Sequence, residues 1–221
     1  MPENAVRSRP HNRGVLKGST QRSPYLTWLA ILPICTLLVA MAFRYLDVPV
    51  ARRVDGILTS ATGLATGLAS AVLLGIEAVV ALALIVIRIA RGNLSTFRKA
   101  TVLACLTSIC TYAINSSTLK VFFGVPTPAA VLHGVQHAFH LLGGSSESSF
   151  PSGHMALAGA FAGVFMRLYR TSIVPLSALL LLAAVLLIVG NWHFVSDVIA
   201  GSFVGISVGL LAGEVWLAYS E

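Results

Sequence analysis

Apolar residues fall in six long runs along this chain, separated by shorter segments that are rich in polar and charged residues. Most runs approach the roughly 20 residues that a helix needs to cross the hydrocarbon core of a membrane. Lipid offers no partner for backbone polar groups, so each run is predicted to be helical. The predicted spans are Tyr25–Leu46, Ser70–Ala90, Ala100–Phe123, His154–Tyr169, Ile173–Gly190 and Phe194–Tyr219. The pattern predicts one all-α domain over residues 25–221, a polytopic bundle of six transmembrane helices.

The composition agrees with a membrane protein and excludes an ordinary soluble domain. Hydrophobic residues make up 56% of the 221 residues and charged residues only 10%, whereas a soluble domain averages about 25% charged residues. The three cysteines lie inside apolar runs and form no CxxC pair. They are therefore predicted to pack as small hydrophobic residues and to bind no metal.

Two segments outside the spans have their own patterns. Residues 1–24 carry five basic residues and one acidic residue, with little apolar content. They are predicted to be a disordered basic tail at the cytoplasmic leaflet, and no interleaved aromatic residues suggest a nucleic-acid partner. Residues Asp47–Ala69 mix charged residues with Val and Ile, which predicts an interfacial helix between the first two spans.

The distribution of basic residues predicts the orientation in the membrane. If the N-terminus is cytoplasmic, the inner segments contain eleven of the 15 Lys and Arg residues. The outer segments then contain the other four, Arg44, Arg52, Arg53 and Lys120. Because basic residues are enriched in cytoplasmic segments, both termini are predicted to be cytoplasmic. The segments before the fourth and sixth spans then face the outside.

Two short polar motifs begin the fourth and sixth spans. Pro151-Ser152-Gly153-His154 precedes one, and His193 lies four residues before Asp197 in the other. Titratable residues are costly in so apolar a chain, which favours a catalytic role. Ser152 is a good N-cap residue, and a helix N-terminus attracts phosphate. The motifs therefore predict chemistry at a phosphorus centre.

Each titratable residue has a predicted role in that chemistry. Asp197 and His193 share one helix face, so Asp197 can fix the imidazole tautomer and leave the other ring nitrogen as the nucleophile. A phosphohistidine would then form on His193. His154 can protonate the leaving oxygen. Lys120, at the outer end of the third span, supplies a cation for the phosphate oxygens.

These motifs, in this order, resemble the type 2 phosphatidic acid phosphatase superfamily of lipid phosphate phosphatases, which also includes the vanadium haloperoxidases. That family has a Lys followed seven residues later by Arg-Pro, then Pro-Ser-Gly-His, then Ser-Arg ahead of His-x-x-x-Asp. The matching residues here are Lys120 with Thr127-Pro128, Pro151–His154, and His193 with Asp197. Both motif arginines are missing: Thr127 replaces one, and Leu186-Leu187 replaces Ser-Arg.

The resemblance implies a lipid phosphate or pyrophosphate substrate, an outward-facing site and catalysis without a metal or other cofactor. The catalytic residues that it implies are His193, His154 and Asp197. The substrate-binding residues that it implies are Lys120, Ser152, Gly153 and Thr127, of which Thr127 can donate only a neutral hydrogen bond in place of the charged one of an arginine.

We therefore predict a lipid phosphatase of a bacterial inner membrane, with its active site on the outer, periplasmic face. Phosphatidic acid, phosphatidylglycerophosphate and isoprenyl pyrophosphate all fit as substrates. Transfer of the phosphate to a lipid or sugar acceptor is an alternative, and a catalytically silent lipid-binding protein is another. A metal-binding transporter that uses His133, His137 and His140 is a fourth. The lipid, and whether the chain forms a homo-oligomer, stay open.

Four further features carry predictions. Gly201, Gly205, Gly209 and Gly213 recur every four residues and predict close packing of the last span, with Gly159 and Gly163 on the facing helix. Glu77 is predicted to face the bundle interior, protonated or bonded to a polar partner, and a head-group or proton-handling role is the alternative. His133, His137 and His140 have the spacing of one helical face, which predicts an interfacial helix, with phosphate or head-group contact and metal binding as alternatives. The glycine- and serine-rich segment 143–149 is predicted to be flexible.

Overall fold

The computed structural model of the chain describes residues 24–57 and 62–220, and its regular secondary structure there is entirely helical. The predicted all-α class is confirmed for these residues. The predicted basic tail, residues 1–24, lies outside them except for Pro24. The helices are α1 (Pro24–Tyr45), α2 (Asp47–Val54), α3 (Thr62–Arg91), α4 (Thr96–Ile114), α5 (Lys120–Phe123), α6 (Pro128–Leu132), α7 (Gly153–Leu168), α8 (Ile173–Val189) and α9 (Val195–Ser220).

Each of the six predicted spans corresponds to helix in the structure, but not every one is long enough to cross a membrane alone. Within the described residues, four helical stretches are long and apolar enough, and α1 with α2 would make a fifth despite a bend of 57° between them. Helix α7 has only 16 residues, about 24 Å of helix. The membrane assignment is confirmed, whereas the count of six spans is not.

The region between the first two spans differs from its prediction. Helix α2 covers only Asp47–Val54, and the chain then turns through Gly56, whose φ is +81°. Helix α3 already begins at Thr62, eight residues before the predicted start. The small Thr, Gly, Ala and Ser residues at its beginning lower the hydropathy without preventing a helix, so the apolar pattern placed the boundary too late.

Helix α4 is extended towards the site by a π-helical turn, Asn115–Leu119, which runs directly into α5. Ser95 caps the start of α4 by accepting the Arg98 N–H. The continuous stretch ends at Gly124, whose left-handed conformation (φ +59°) stops the helix. Lys120 therefore lies near the end of a nearly continuous helical stretch formed by α4, the π-helical turn and α5.

Helices α7 and α9 form the centre of the bundle and contact one another backbone to backbone. A Cβ atom at Gly205 would overlap the carbonyl oxygen of Ala156, and one at Gly209 would overlap that of Ala160. On the facing helix, a Cβ at Gly163 would lie 2.7 Å from the Ile206 carbonyl oxygen. The predicted glycine-mediated packing is confirmed, and it sets the two helices closer than larger residues would allow.

Polar side chains form contacts between helices of the bundle. Glu77 on α3 accepts a hydrogen bond of 3.1 Å from Ser108 on α4, and Ser108 also approaches the Leu157 carbonyl at 2.9 Å. The predicted interior position and polar partner of Glu77 are confirmed. Arg167 on α7 forms an ion pair with Glu214 on α9 at the opposite end of the bundle from the histidine motifs. Both contacts connect neighbouring helices.

Replacing Gly205 by Ala should destabilise the bundle, because the new methyl group has to displace the Ala156 carbonyl. Overpacking of this kind costs about 2 kcal/mol, which corresponds to a fall in Tm of roughly 4–8 °C for a chain of this size. Thermal unfolding in detergent measures the shift.

Gly75→Ala is the matched control. Gly75 lies within α3, and a Cβ there would meet no atom within 4 Å, so its Tm should stay equal or rise. Equal Tm values for both variants would contradict the proposed role of the α7–α9 contact.

Candidate active site

The two histidine motifs meet where the N-termini of α7 and α9 lie side by side. The Ser152 N–H, at the start of α7, donates a hydrogen bond of 3.0 Å to the Asp197 carbonyl in the first turn of α9. A Cβ at Gly201 would overlap the Ser152 carbonyl oxygen, so glycine is needed for this approach. Two helix N-termini, each the positive end of a helix dipole, therefore share one site.

His193 lies against Asp197, as the spacing predicted, and Ser149 completes the arrangement. His193 Nδ1 is 3.4 Å from Asp197 Oδ2 and 3.5 Å from Ser149 Oγ. Asp197 Oδ2 also accepts hydrogen bonds from Ser149 Oγ and, at 2.8 Å, from the Phe194 N–H. Asp197 is fully buried. This carboxylate is thus fixed in position beside one ring nitrogen of His193, which favours a proton on Nδ1 and a lone pair on Nε2.

His154 faces the other ring nitrogen of His193. Its Nδ1 lies 3.4 Å from His193 Nε2, and the two rings meet edge to face with centroids 5.5 Å apart. His193 is 7% exposed, while His154 is only partly buried. A phosphorus centre that entered from the open side, beside His154, would come within reach of both rings. The structure therefore brings together the three residues predicted to be catalytic.

The loop that leads into α7 packs against the end of α4 and the π-helical turn that follows it. Ser152 caps α7, since its Oγ accepts the Met155 N–H at 3.4 Å. Asn115, in the π-helical turn, donates to the Pro151 carbonyl at 3.1 Å. A Cβ at Gly153 would lie 3.1 Å from the Tyr112 ring, so a larger residue would push the loop outward. Ser152 and Gly153 are thus positioned at the first amide groups of α7, which suit an anion.

Lys120 reaches the same end of the bundle. Its Nζ donates to the Ser146 carbonyl at 3.1 Å, and its charge interacts with those of Glu147 and Asp197. The glycine- and serine-rich segment, predicted to be flexible, packs against this region. A Cβ at Gly144 would overlap the Lys120 carbonyl, and Ser149 is buried, with its N–H bonded to the Val125 carbonyl at 2.8 Å.

The residues at the two missing arginine positions have structural roles. Thr127 caps α6 by accepting the Ala130 N–H at 3.3 Å, and its predicted part in substrate binding stays a prediction. Leu187 is buried in an apolar cluster with Met155 and Val198. Neither side chain carries a charge, so neither replaces the positive charge of the arginine at its position.

Sequence reasoning missed Asp47, which lies just after α1 and is 1% exposed. It accepts hydrogen bonds from the Ser196 N–H at 3.0 Å and from Ser196 Oγ. Asp47 therefore stabilises the first turn of α9 from another segment of the chain, whereas Asp197 stabilises it from within that turn. The signal for Asp47 in the sequence is its position directly after a predicted span. The sequence analysis includes it in the predicted interfacial helix and gives it no separate role.

Ser149 and Asn115 were also missed. Ser149 is one of several serines before the Pro-Ser-Gly-His motif, and nothing in the pattern distinguishes it from its neighbours. Asn115 is fully buried at the end of an apolar run, where a lone amide is a usable signal because it needs a polar partner. Both contacts join residues more than 30 positions apart.

The predicted helical face of three histidines is wrong, because the chain is not helical after Leu132 in this loop. His140 Nδ1 lies 3.2 Å from the Gly124 carbonyl. His137 stacks on Phe43 and lies 3.5 Å from Asp47. Burial lowers the pKa of His137. Within residues 24–57 and 62–220, no group of three His, Cys, Asp or Glu side chains is placed to hold a metal ion.

The chain matches a known family. The family model described as the PAP2 superfamily matches residues 100–218, which is more than half of the 221 residues. The matched region runs from α4 to α9 and contains Lys120, His154, His193 and Asp197. Searches of curated proteins and of solved structures found no match.

Removing the Asp47 carboxylate should destabilise the protein, because two donors of Ser196 would lose their acceptor in a buried site. Each unsatisfied buried donor costs about 1–3 kcal/mol, so Asp47→Ala should lower the free energy of unfolding by roughly 2–5 kcal/mol. Thermal unfolding in detergent is the measurement.

Asp55→Ala serves as the control, since Asp55 is exposed and makes only a 3.4 Å contact with Asn191. Its effect should stay within about 0.5 kcal/mol. Similar effects of the two substitutions would show that Asp47 does not hold α9 as described.

Proposed function

The chain belongs to the PAP2 superfamily, and from that membership we propose that it is a membrane lipid phosphatase that works through a phosphohistidine on His193. Membership of a superfamily made up largely of phosphatases indicates phosphatase-type activity on phosphorylated substrates. The observation that carries the proposal is the line of side chains Asp197, His193 and His154 at two adjoining helix N-termini.

In the first step, His193 Nε2 attacks the phosphorus atom of the lipid phosphate. The N–P bond forms as the bond from phosphorus to the leaving oxygen breaks. His154 in its protonated form donates a proton to that oxygen, so the lipid alcohol or lipid monophosphate leaves with that oxygen protonated. Asp197 stabilises the positive charge that develops on the His193 ring, because it already lies at Nδ1.

In the second step, water attacks the phosphohistidine. His154, now neutral, takes a proton from the water molecule as the new P–O bond forms and the N–P bond breaks. Inorganic phosphate leaves, and both histidines return to their starting states. One residue thus acts first as the acid and then as the base.

The charge on the phosphate oxygens has to be balanced without the two family arginines. Lys120 and the first amide groups of α7 are the groups proposed to do this, since preorganised donors near a developing charge lower the barrier. Hydrogen bonds to charged groups are worth about 1.5–3 kcal/mol each. A site with fewer of them should therefore bind phosphate more weakly than one that keeps both arginines.

The same reduced charge supports a second candidate, phosphotransfer to a lipid or sugar acceptor. Thr127 and Leu187 supply no cation, so the phosphohistidine could be held in a way that admits an acceptor other than water. Product analysis decides between the two: free phosphate indicates hydrolysis, and a phosphorylated acceptor indicates transfer.

The membrane arrangement completes the proposal. We place six spans in a bacterial inner membrane, with both termini cytoplasmic and the histidine pair at the outer face, as the distribution of basic residues favours. Helix α7 is short, but it is enclosed by α4, α8 and α9, so it need not match the full lipid thickness. The lipid would reach the site from the outer leaflet.

Substituting the proposed nucleophile should abolish activity. In His193→Ala, phosphate release from lipid phosphates and pyrophosphates should fall at least about 10³-fold, because no N–P bond can form. Release is measured with purified protein in detergent and with a chelator present, which should leave the wild-type rate unchanged.

His133→Ala is the control, since His133 is an exposed histidine of the outer loop, and its activity should stay within about twofold of wild type. Full activity of His193→Ala would refute the phosphohistidine, and loss of wild-type activity with the chelator would refute metal-independent catalysis.

Ser149 should act through Asp197 and His193. In Ser149→Ala, the carboxylate loses one hydrogen bond and the ring loses a neighbour at Nδ1, so kcat should fall about 10-fold, or ~1.4 kcal/mol. The KM should change little, since Ser149 lies at His193 Nδ1 and not at the proposed nucleophile Nε2. Steady-state kinetics separate the two constants.

Ser146→Ala, which alters an exposed serine three residues earlier, should leave kcat unchanged. A rise in KM with constant kcat in Ser149→Ala would assign Ser149 to substrate binding and contradict its positioning role.

A further inference from the structure

The long connection between α5 and α7 carries no charged side chain over most of its length. No Asp, Glu, Lys or Arg occurs between Lys120 and Glu147. Charged residues are the ones most often exposed to water, so a loop of this length that faced water on all sides would be expected to carry several. The composition of this connection instead suits contact with an apolar surrounding.

Two leucines at the turn of this loop are strongly exposed. Leu141 is 64% exposed and Leu142 is 77% exposed, and we call the pair the leucine tip. Leu142 also has a left-handed backbone conformation, with a φ of +61°, which is strained for a residue with a bulky side chain. Residues 24–57 and 62–220 thus leave two apolar side chains uncovered, one of them on a strained backbone.

The backbone of the leucine tip is bonded to the end of α5. Three N–H groups of the loop donate to the last carbonyl oxygens of that helix at 2.8–3.1 Å. The pairs are Leu142 with Phe122, His140 with Phe123, and Gly144 with Val121. Carbonyl groups at a helix C-terminus have no partner within the helix, so each bond satisfies a polar group on both sides. Such pairing is what a non-helical segment needs when it lies close to hydrocarbon.

The loop is also fixed on both sides of the leucine tip. Before the tip, Phe139 stacks on Phe43 with ring centroids 4.4 Å apart and meets Phe150 edge to face. After the tip, Gly144 packs so closely on Lys120 that a Cβ atom would overlap the Lys120 carbonyl oxygen. The strained conformation of Leu142 is therefore maintained by its neighbours, and the two leucine side chains are held outward.

The position of the tip along the bundle matches the boundary between head groups and hydrocarbon. Lys99 lies in the first turn of α4. Phe122, which pairs with Leu142, lies about 35 Å further along the same helical stretch at 1.5 Å per residue. The hydrocarbon core is about 30 Å thick, and about 40–45 Å with both head-group regions. When Lys99 lies among the head groups of one leaflet, Phe122 reaches the interfacial region of the other.

We propose that the leucine tip inserts its two side chains into the acyl-chain region of the leaflet at the histidine end of the bundle, and that it thereby sets the depth of Lys120 relative to the lipid phosphates. Side chains inserted in this way lie roughly 5–10 Å into the boundary between head groups and acyl chains. Removing apolar side chains from water is favourable, which accounts for two exposed leucines beside a polar site.

The contacts of Lys120 connect the tip with the candidate site. Gly144 packs on the Lys120 carbonyl, and Lys120 Nζ donates to the Ser146 carbonyl at 3.1 Å. Both partners of Lys120 lie within five residues of the tip. The lipid contact itself is independent of the reaction, whereas the depth of Lys120 as a substrate-positioning feature rests on the proposed function.

Photocrosslinking tests the lipid contact without relying on turnover. The variant Leu142→p-benzoylphenylalanine is reconstituted into nanodiscs of phosphatidylethanolamine and phosphatidylglycerol and irradiated. Covalent lipid adducts should form and are detected by mass spectrometry of the intact protein. The same photoreactive residue at Ile114, which is 59% exposed within the span, is the positive control.

The water-facing control places the photoreactive residue at Glu147, an exposed charged residue of the same loop, where adducts should be absent. The yield at Leu142 should approach that at Ile114. A yield at Leu142 no higher than that at Glu147 would overturn the proposal.

A double substitution of the tip tests its effect on the reaction. In Leu141→Ala/Leu142→Gly, the Tm in detergent should stay equal or rise, because glycine adopts a positive φ without strain. The KM for a long-chain lipid phosphate in vesicles should rise at least threefold with kcat unchanged. The KM for water-soluble dihexanoyl phosphatidic acid should stay within twofold, since that substrate does not have to be met at a fixed depth.

Leu181→Ala/Leu182→Ala is the matched control. These neighbouring leucines of α8 are 67% and 55% exposed and lie away from the loop, so neither KM should change. A fall in Tm of the tip variant, or an equal rise in KM for both substrates, would assign the tip to folding or to direct substrate binding and overturn the proposal.

The experiments separate failure of this inference from failure of the proposed function. Lipid adducts at Leu142 without phosphate release from any lipid would refute the phosphatase and keep the lipid contact. Phosphate release without adducts would keep the phosphatase and refute insertion of the tip. Adducts together with an unchanged KM in the tip variant would refute the role of the tip in setting the depth of Lys120.

Discussion

Helices α7 and α9 touch backbone to backbone, and the positions of the side chains proposed to be catalytic depend on that contact. Gly201, Gly205 and Gly209 on α9 each face a carbonyl oxygen of α7 or of the turn before it. In a membrane, apolar side chains gain little by leaving lipid for one another, so close packing of small residues is a main source of helix association. Here the same contact brings His154 and His193 to one place.

Two buried carboxylates stabilise the first turn of α9, and each has a different second role. Asp47 accepts both donors of Ser196 and fixes the helix to the end of α1. Asp197 accepts the Phe194 N–H and Ser149 Oγ and lies beside His193. A helix N-terminus favours negative charge, which lowers the cost of burying them. The residue that orients the proposed nucleophile is thus also part of the helix cap.

Helix α4 connects the polar site to the apolar part of the protein. Its π-helical turn places Asn115 beneath the loop before α7, and the next residues lead to Lys120. Below that turn, residues of the same helix line an apolar pocket together with residues of α9. A π-helical turn shifts the register of the side chains that follow it, so Asn115 can face the loop while the helix continues to the lysine.

The sequence by itself determined the helical class, the approximate position of each long helix, the two histidine motifs and the glycine stripe. These depend on local periodicity and on residues a few positions apart, and hydrophobic patterning records such relations directly. The family match over residues 100–218 agrees with the motif-based resemblance. The tertiary structure decided the rest.

Asp47, Ser149 and Asn115 each act on residues more than 30 positions away, and no periodic pattern carries information over that separation. The outer histidines show the reverse case: His133, His137 and His140 have helical spacing, yet loop contacts and stacking on Phe43 separate them. The local sequence pattern determines which segments are helical. The partner of each buried polar side chain depends instead on how the segments pack, because a buried polar atom needs a hydrogen bond and the packing decides which groups lie within reach.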